Sequence, residues 1–307
     1  MNPIVHVSGT VWLLAPALGA LMAAGWACFA QRSLAPHDAT RMLAVLAAVT
    51  TIGVIGGLFT VSIGFLTQFA AIDRTFGWCR SLAAHPVSTA AGVGALASLA
   101  YSLPAGIRAA RRYRRASRFD LSDASGDTNS IVIVDSARPL AYASPGGRGH
   151  VVVSEGMLAA LTPDEQRAML AHEEAHLLYR HHRYLAVAYV SAAALPLLRP
   201  LIRQLRFAME RCADNHAVAV IGDSTLVARA IARAALAAND PPPAWALALT
   251  GSGTRARVEA LLDGRRPSTA ARRACTALGA MAVAVNLTGA SVQLHHLYIL
   301  LTDVCQF

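Results

Sequence analysis

The chain contains no lysine, and it is poor in charge and in aromatic residues. Charged residues make up 15% and aromatic residues 6% of its 307 residues, whereas hydrophobic residues make up 55%. So few polar residues cannot cover the surface of a soluble globule, and the mean hydropathy of +0.43 indicates an integral membrane protein. The composition therefore excludes an ordinary soluble protein.

Cysteines are few and scattered. Five are present, and no two form a Cys-x-x-Cys pair: Cys28, Cys79, Cys212, Cys275 and Cys305. This spacing indicates neither a zinc knuckle nor a disulfide framework.

The net charge of +9 comes from arginine alone. The arginines are concentrated beside hydrophobic segments, where the positive-inside rule places basic residues of membrane proteins. No recognition-helix or aromatic-basic pattern accompanies them. We therefore expect a lipid surface, and no direct nucleic-acid partner.

Four apolar runs are long enough to cross a bilayer, which needs about 20 residues. They are Val11–Ala30, Met42–Ile72, Pro86–Ile107 and about Cys275–Leu301.

The third run leads into Arg108–Arg118, which has six arginines in eleven residues. We predict that this basic segment lies on the cytoplasmic side of the plasma membrane, against anionic lipid head groups. Counting the four crossings from this segment predicts a multi-pass protein with both termini outside. Cys79 and Cys305 then both lie outside, where a disulfide could join them.

A more polar domain is predicted between the third and fourth runs. We assign residues 1–107 to three transmembrane helices, 108–118 to a basic juxtamembrane segment, 119–266 to a cytoplasmic domain, and 267–307 to a final transmembrane helix with a short outer tail. The β-branched runs Ile131–Val134 and His150–Val153 predict strands. Most of the remaining domain is expected to be helical.

The segment Tyr184–Leu198 leaves several interpretations open. It is apolar but only fifteen residues long, and Pro196 interrupts it. This length favours neither a clean membrane span nor full exposure. A re-entrant, membrane-embedded or membrane-surface helix and a buried continuation of the preceding helix are all consistent with it.

The most informative stretch of the domain is His172-Glu173-Glu174-Ala175-His176. Upstream, Thr162, Pro163 and Glu165 have the types and spacing of a helix N-cap, a first-turn proline and a capping box. A helix therefore begins there and carries this stretch two to three turns from its start.

On such a helix, His172 and His176 share one face, because four steps of about 100° return to within about 40°. Two imidazoles can then converge on one metal ion. Glu173 lies about 100° round, beside the ion, where a general base must be to activate water. Glu174 lies on the wrong side of the helix to act on a metal-bound water, and we assign it a structural role. The pattern predicts a zinc hydrolase with one Zn²⁺ per chain.

A catalytic zinc usually has three protein ligands and a water. On a continuous helix His181 lies nearly opposite His172, which predicts a surface or membrane-interface position for it. His182 would be a third ligand only after a glycine turn, and Tyr179 occupies the glycine position and disfavours that turn.

The next predicted helix offers a better third ligand. Glu210 and Asp214 are four residues apart and share a face. One carboxylate can bind the metal while the other accepts a proton from a ligand imidazole. Spacing alone does not determine which of the two carboxylates binds the metal.

At this point the chain resembles the BlaR/MecR-type membrane metallopeptidases and, more distantly, the HtpX and CAAX-protease family. The resemblance runs from the third membrane span to the last one. It rests on His150–Leu158, Leu161–Glu165, Met169–His176, Glu210–Asp214 and Arg257–Leu262. It implies a membrane α-helical protein with about four transmembrane helices and an inserted, mainly helical α+β, zincin-like metallopeptidase domain.

The resemblance also assigns roles to individual residues. It implies His172, His176 and Glu210 as zinc ligands, Glu173 as the catalytic base and Asp214 as the partner of a ligand histidine. It further implies that the strand before the helix presents its edge to an extended substrate segment. In this chain that strand would be formed by His150, Val151, Val152 and Val153.

We therefore expect an integral membrane zinc endopeptidase that cuts a protein on the cytoplasmic side, such as a transcriptional repressor in an antibiotic or envelope stress response. Antibiotic-sensing relatives continue into an extracellular penicillin-binding sensor, and this sequence stops at Phe307. We therefore do not expect a direct β-lactam receptor. A quality-control or processing protease, and a non-catalytic signalling protein with a structural metal site, remain the alternatives. The oligomeric state is not predicted.

Overall fold

The computed structural model describes the chain in ten segments. They are residues 22, 25–27, 29–30, 33–66, 68–69, 87–119, 131–145, 149–238, 253–263 and 268–302. Their helices are α1 (Pro36–Leu66), α2 (Thr89–Phe119), α3 (Glu155–Ala160), α4 (Pro163–Leu178), α5 (His181–Ala194), α6 (Arg199–Ile221), α7 (Ser224–Ala237), α8 (Thr254–Asp263) and α9 (Thr269–Thr302). Their strands are β1 (Ile131–Val134), β2 (Ala141–Ser144) and β3 (His150–Ser154).

Among the described residues, three helices are long and apolar enough to cross a membrane. The candidate spans are Pro36–Leu66 in α1, Thr89–Arg115 in α2 and Thr269–Val292 in α9. They overlap the second, third and last predicted runs and so support a membrane protein. The first predicted run, Val11–Ala30, lies mostly outside the described residues, and so do Cys79 and Cys305. The described chain therefore supports three spans, and the fourth stays a prediction.

The helices after the sheet pack directly on the membrane helices. One buried cluster joins α1, α5, α6 and α9, and it includes Leu43, Leu185, Leu205 and Cys275. At the contact between α1 and α9, a Cβ built on Gly279 would lie 2.5 Å from the Met42 side chain. The same Cβ would lie 2.6 Å from the ring of Trp26, so a larger residue at this position would require the Met42 methyl group and the Trp26 ring to move.

The segment Tyr184–Leu198 is not a continuation of the preceding helix, whereas a membrane-embedded position for it stays a prediction. Arg180 adopts a left-handed conformation (φ 53°) and ends α4, so α5 is a separate helix rather than a continuation. A short 3₁₀ turn, Pro196–Leu198, then leads into α6. α5 packs along α2, where the Ala194 side chain approaches Gly106.

The sheet has the strand order β1-β3-β2. Strand β3 pairs in parallel with β1, with Ile131 opposite Val151, and antiparallel with β2, with Ala141 opposite Val153. All residues of β3 are buried. The prediction that His150, Val151, Val152 and Val153 form an edge strand is therefore wrong, because β2 covers the side that was expected to be free.

Helix α4 begins where its sequence predicts. Pro163 occupies the first turn, and the Thr162 backbone N–H donates to Glu165 Oε2 over 3.0 Å. The helix packs against β2 and β3 on one side and against α6 and α7 on the other. The middle of α4 is therefore enclosed by the rest of the domain.

Candidate metal centre

Three side chains from two helices converge at a buried point. His172 and His176 extend from α4, and their Nε2 atoms lie 3.2 Å apart. Glu210 extends from α6; its carboxylate oxygens lie 3.6 Å from His172 Nε2 and 3.9 Å from His176 Nε2. One donor atom from each of the three residues lies within 4.8 Å of the others.

The chemistry of this donor set fits a zinc ion. Two imidazoles, a carboxylate and one position left for water is a usual ligand set for catalytic zinc. Bonds of about 2.0–2.2 Å in tetrahedral geometry place ligand atoms about 3.3 Å apart. The 3.2 Å separation of the His172 and His176 Nε2 atoms matches that value, and Glu210 would need to move by only a few tenths of an ångström.

Asp214, one helical turn after Glu210, lies behind the first histidine. Its Oδ1 is 2.9 Å from His172 Nδ1, and both side chains are about 1% exposed. Burial lowers the pKa of His172, but Asp214 and Glu210 outweigh burial and raise it to about 9. The surroundings of this ring thus favour a positive charge, which a proton or a metal ion at Nε2 can supply.

Arg257 on α8 fixes both carboxylates. Its Nη1 lies 2.8 Å from Glu210 Oε2, and its Nε and Nη2 donate to the two oxygens of Asp214 over 2.8 and 2.6 Å. Burial alone would raise the pKa of Glu210 and of Asp214, but Arg257 holds both below their usual range. One guanidinium beside two ionised carboxylates leaves net negative charge in a buried site, which favours a bound cation.

Glu173 lies between the metal site and the sheet. Its side chain is fully buried, and within the described chain neither carboxylate oxygen accepts a hydrogen bond of ordinary geometry. Burial raises the pKa of Glu173 to about 7, while His172 and the backbone of Ala143 on β2 act to lower it. A carboxyl group with such a pKa can both take and give a proton near neutral pH. Glu174, in contrast, is exposed.

His181 is the main departure from the predicted site. It is fully buried, and its Nδ1 lies 2.7 Å from Nδ1 of His176. The predicted surface position is wrong because the helical wheel assumed an unbroken helix, whereas Arg180 reverses the backbone and turns His181 back toward α4. His182 is half-buried, and its carbonyl accepts a hydrogen bond from the Tyr113 hydroxyl on α2.

Neither His181 nor Arg257 was expected to belong to the site. Arg257 stands in a segment that carried the family resemblance, but nothing in its spacing pointed to Asp214 on α6. Both contacts depend on how separate helices pack, so no local pattern in the sequence could have shown them.

A family model described as peptidase family M48 matches residues 107–265. This range includes α4, α6 and α8 and therefore every side chain that forms the site. No curated protein and no solved structure gives a match to the chain.

Proposed function

The chain belongs to peptidase family M48, and we propose that it is an integral membrane zinc endopeptidase with Glu173 as its catalytic residue. Peptidases of this family are zinc-dependent in general. Three apolar helices support a membrane protein. The observation that carries the proposal is the convergence of His172, His176 and Glu210, whose donor atoms lie within 4.8 Å of one another.

In this proposal the residues of the chain divide the chemistry between them. Zn²⁺, held by His172, His176 and Glu210, would supply Lewis-acid polarisation of the scissile carbonyl and of the attacking water. Glu173 takes a proton from that water at its carboxylate and later gives it to the leaving amine. Asp214 orients the ring of His172 through Nδ1.

Strand β2 takes the substrate-docking role that β3 cannot have. It is an edge strand of the sheet and packs on α4. The backbone of Ala143 in β2 lies beside Glu173. An extended substrate segment that pairs with the outer edge of β2, on the side away from β3, would run past Glu173 and the ligand histidines. This placement supports the proposed zincin-like arrangement, in which an edge strand lies beside the helix that carries the zinc ligands.

The proposed orientation puts the peptidase site in the cytoplasm and both termini outside. The arginines of α2 between Arg108 and Arg115 are exposed at the end of a candidate span. Exposed arginines at that position are expected to contact anionic lipid head groups on the cytoplasmic side.

For the biological role we propose regulated cleavage of a cytoplasmic protein, such as a transcriptional repressor, as in the BlaR/MecR-type peptidases that the sequence resembles.

One feature favours the alternative of quality control. A substrate that pairs with β2 would be bound through hydrogen bonds of its main chain. Because every sequence can form such hydrogen bonds, they do not select one substrate. A site of this kind accepts many substrates unless another contact restricts it.

A comparison of cell proteomes tests these roles. Cells that carry the wild-type chain and cells that carry Glu173→Gln are compared with and without a cell-wall antibiotic. A single fragment that disappears in the variant supports repressor cleavage, and a broad accumulation of membrane proteins supports quality control. Identical proteomes under both conditions would contradict a peptidase and support a structural metal site.

A further inference from the structure

The ring nitrogens of His176 and His181 meet at 2.7 Å, which is a hydrogen-bond distance between two buried imidazoles. In such a contact one Nδ1 must carry the proton and the other must accept it. If His176 binds zinc through Nε2, its Nδ1 is protonated and donates. His181 Nδ1 is then the acceptor.

We propose that His181 is a positioning residue of the metal site, which orients His176 by accepting its Nδ1–H. The inference rests on the proposed function, because it requires that His176 binds zinc. Each ligand histidine then has a buried group beside its Nδ1: Asp214 Oδ1 lies 2.9 Å from His172 Nδ1, and His181 Nδ1 lies 2.7 Å from His176 Nδ1. Such acceptors fix the tautomer and the ring plane of a ligand histidine.

The contact to His176 is the one hydrogen bond that the ring of His181 makes among the described residues. The other ring nitrogen of His181, Nε2, is buried and has no hydrogen-bond partner among the described residues. A buried polar atom without a partner is unfavourable. The ring therefore lies in an orientation that makes the 2.7 Å contact at Nδ1 although it leaves Nε2 without a hydrogen-bond partner.

The backbone and a neighbouring ring support this orientation. Arg180 is the one non-glycine residue of the described chain with a positive φ, and that conformation is uncommon for a residue with a Cβ. It directs His181 back to α4. The ring of Tyr179 lies nearly parallel to that of His181, with an interplanar angle of 26° and a centroid distance of 5.9 Å. The Tyr179 hydroxyl in turn lies 3.3 Å from His216 Nδ1 on α6.

Two substitutions of nearly the same shape test the acceptor. In His181→Asn the amide oxygen can occupy the place of Nδ1, whereas His181→Leu puts a methyl group there. The full chain is purified in detergent, and its zinc dissociation constant is measured by competition with a chelator. We expect His181→Leu to weaken zinc binding about 10–100-fold, as loss of such partners commonly does. His181→Asn should recover most of this loss.

The neighbouring His182 provides the control. It lies one residue further along α5 and is half-buried, and His182→Leu should leave the zinc dissociation constant unchanged. Equal zinc affinity in His181→Leu and the wild type, or an equal loss in His181→Asn and His181→Leu, would contradict the positioning role. A wild-type chain that binds no zinc would instead contradict the proposed function.

A second measurement does not depend on any variant. In zinc-loaded wild-type protein with ¹⁵N-labelled histidine, NMR should show His176 protonated at Nδ1 and His181 protonated at Nε2 only. A proton on Nδ1 of His181 would overturn the proposal even if the leucine variant does not fold.

Discussion

Arg257 and Asp214 are joined by two hydrogen bonds at a position where solvent hardly reaches either side chain. The guanidinium Nε and Nη2 donate to the two carboxylate oxygens over 2.8 and 2.6 Å, and the side chains are 2% and 1% exposed. The third guanidinium nitrogen, Nη1, reaches Glu210. The short helix α8 is thereby tied to the helix that carries the third candidate zinc ligand.

The first prediction concerns this arginine. Arg257→Leu leaves two buried carboxylates without their cation, and breaking a buried ion pair in this way costs about 3–5 kcal/mol. We expect a large drop in the apparent Tm of the detergent-purified protein. The control is Arg255→Leu on the same helix, because Arg255 pairs with Glu259 where the side chains are 93% and 60% exposed. A Tm for Arg257→Leu equal to that of Arg255→Leu would show that α8 does not stabilise the site.

The second prediction concerns the start of α4. Glu165 is fully buried and accepts hydrogen bonds from the Thr162 backbone N–H, from Arg229 Nε over 3.0 Å and from Arg233 Nη1 over 2.9 Å. Burial would raise the pKa of Glu165, but these donors together lower it. Glu165→Gln removes the charge, and we expect it to destabilise the domain by about 2 kcal/mol.

Thermal unfolding followed by circular dichroism measures this effect, and Asp164→Asn is the matched control. Asp164 pairs with Arg167 at the surface, where the side chains are 61% and 72% exposed, and such pairs contribute at most about 1 kcal/mol. The account of the α4 start is wrong if the Asp164 variant melts lower than the Glu165 variant.

Much of the helical architecture could be predicted from local sequence, because helix ends have local causes. Thr162 and Pro163 mark the start of α4. Asp223, whose carboxylate accepts from the backbone N–H groups of Thr225 and Leu226, marks the start of α7. The histidine spacing likewise depends only on the pitch of a helix. These features were visible without any knowledge of tertiary contacts.

The errors and omissions concern features that hydrophobic periodicity does not determine. Strand order in the sheet depends on β2, whose sequence Ala141-Tyr-Ala-Ser144 has no β-branched residue and gives no strand signal. The burial of His181 depends on a single backbone torsion at Arg180. The contact of Arg257 with Asp214 spans 43 residues and requires α8 to pack beside α6. None of these follows from a periodic pattern.

The third prediction tests the orientation in the membrane. In a variant without the native cysteines, Ser88→Cys before α2 and Ser268→Cys before α9 introduce one exposed thiol each. With the peptidase site in the cytoplasm, a membrane-impermeant maleimide should label Ser88→Cys in intact cells. It should label Ser268→Cys only after the membrane is permeabilised. The reverse pattern would invert the proposed topology.

The fourth prediction tests substrate docking on β2. In a β-ladder, alternate residues of a strand turn their N–H groups toward the neighbouring strand. Methylation of single backbone nitrogens along a peptide substrate should therefore slow cleavage at every second position. The rate of hydrolysis of each methylated peptide by the purified protein measures this. A loss of cleavage without a two-residue period would contradict strand pairing.

The most direct test of the central claim compares two adjacent glutamates of α4. Glu173 is buried beside the candidate zinc ligands, whereas Glu174 is exposed. Zinc content and peptide hydrolysis are measured for the purified wild type, Glu173→Gln and Glu174→Gln. We predict about one zinc per chain in all three, with hydrolysis lost at least 10²-fold in Glu173→Gln, as expected on removal of a general base, and retained in Glu174→Gln. Wild-type hydrolysis by a zinc-loaded Glu173→Gln protein would contradict the account.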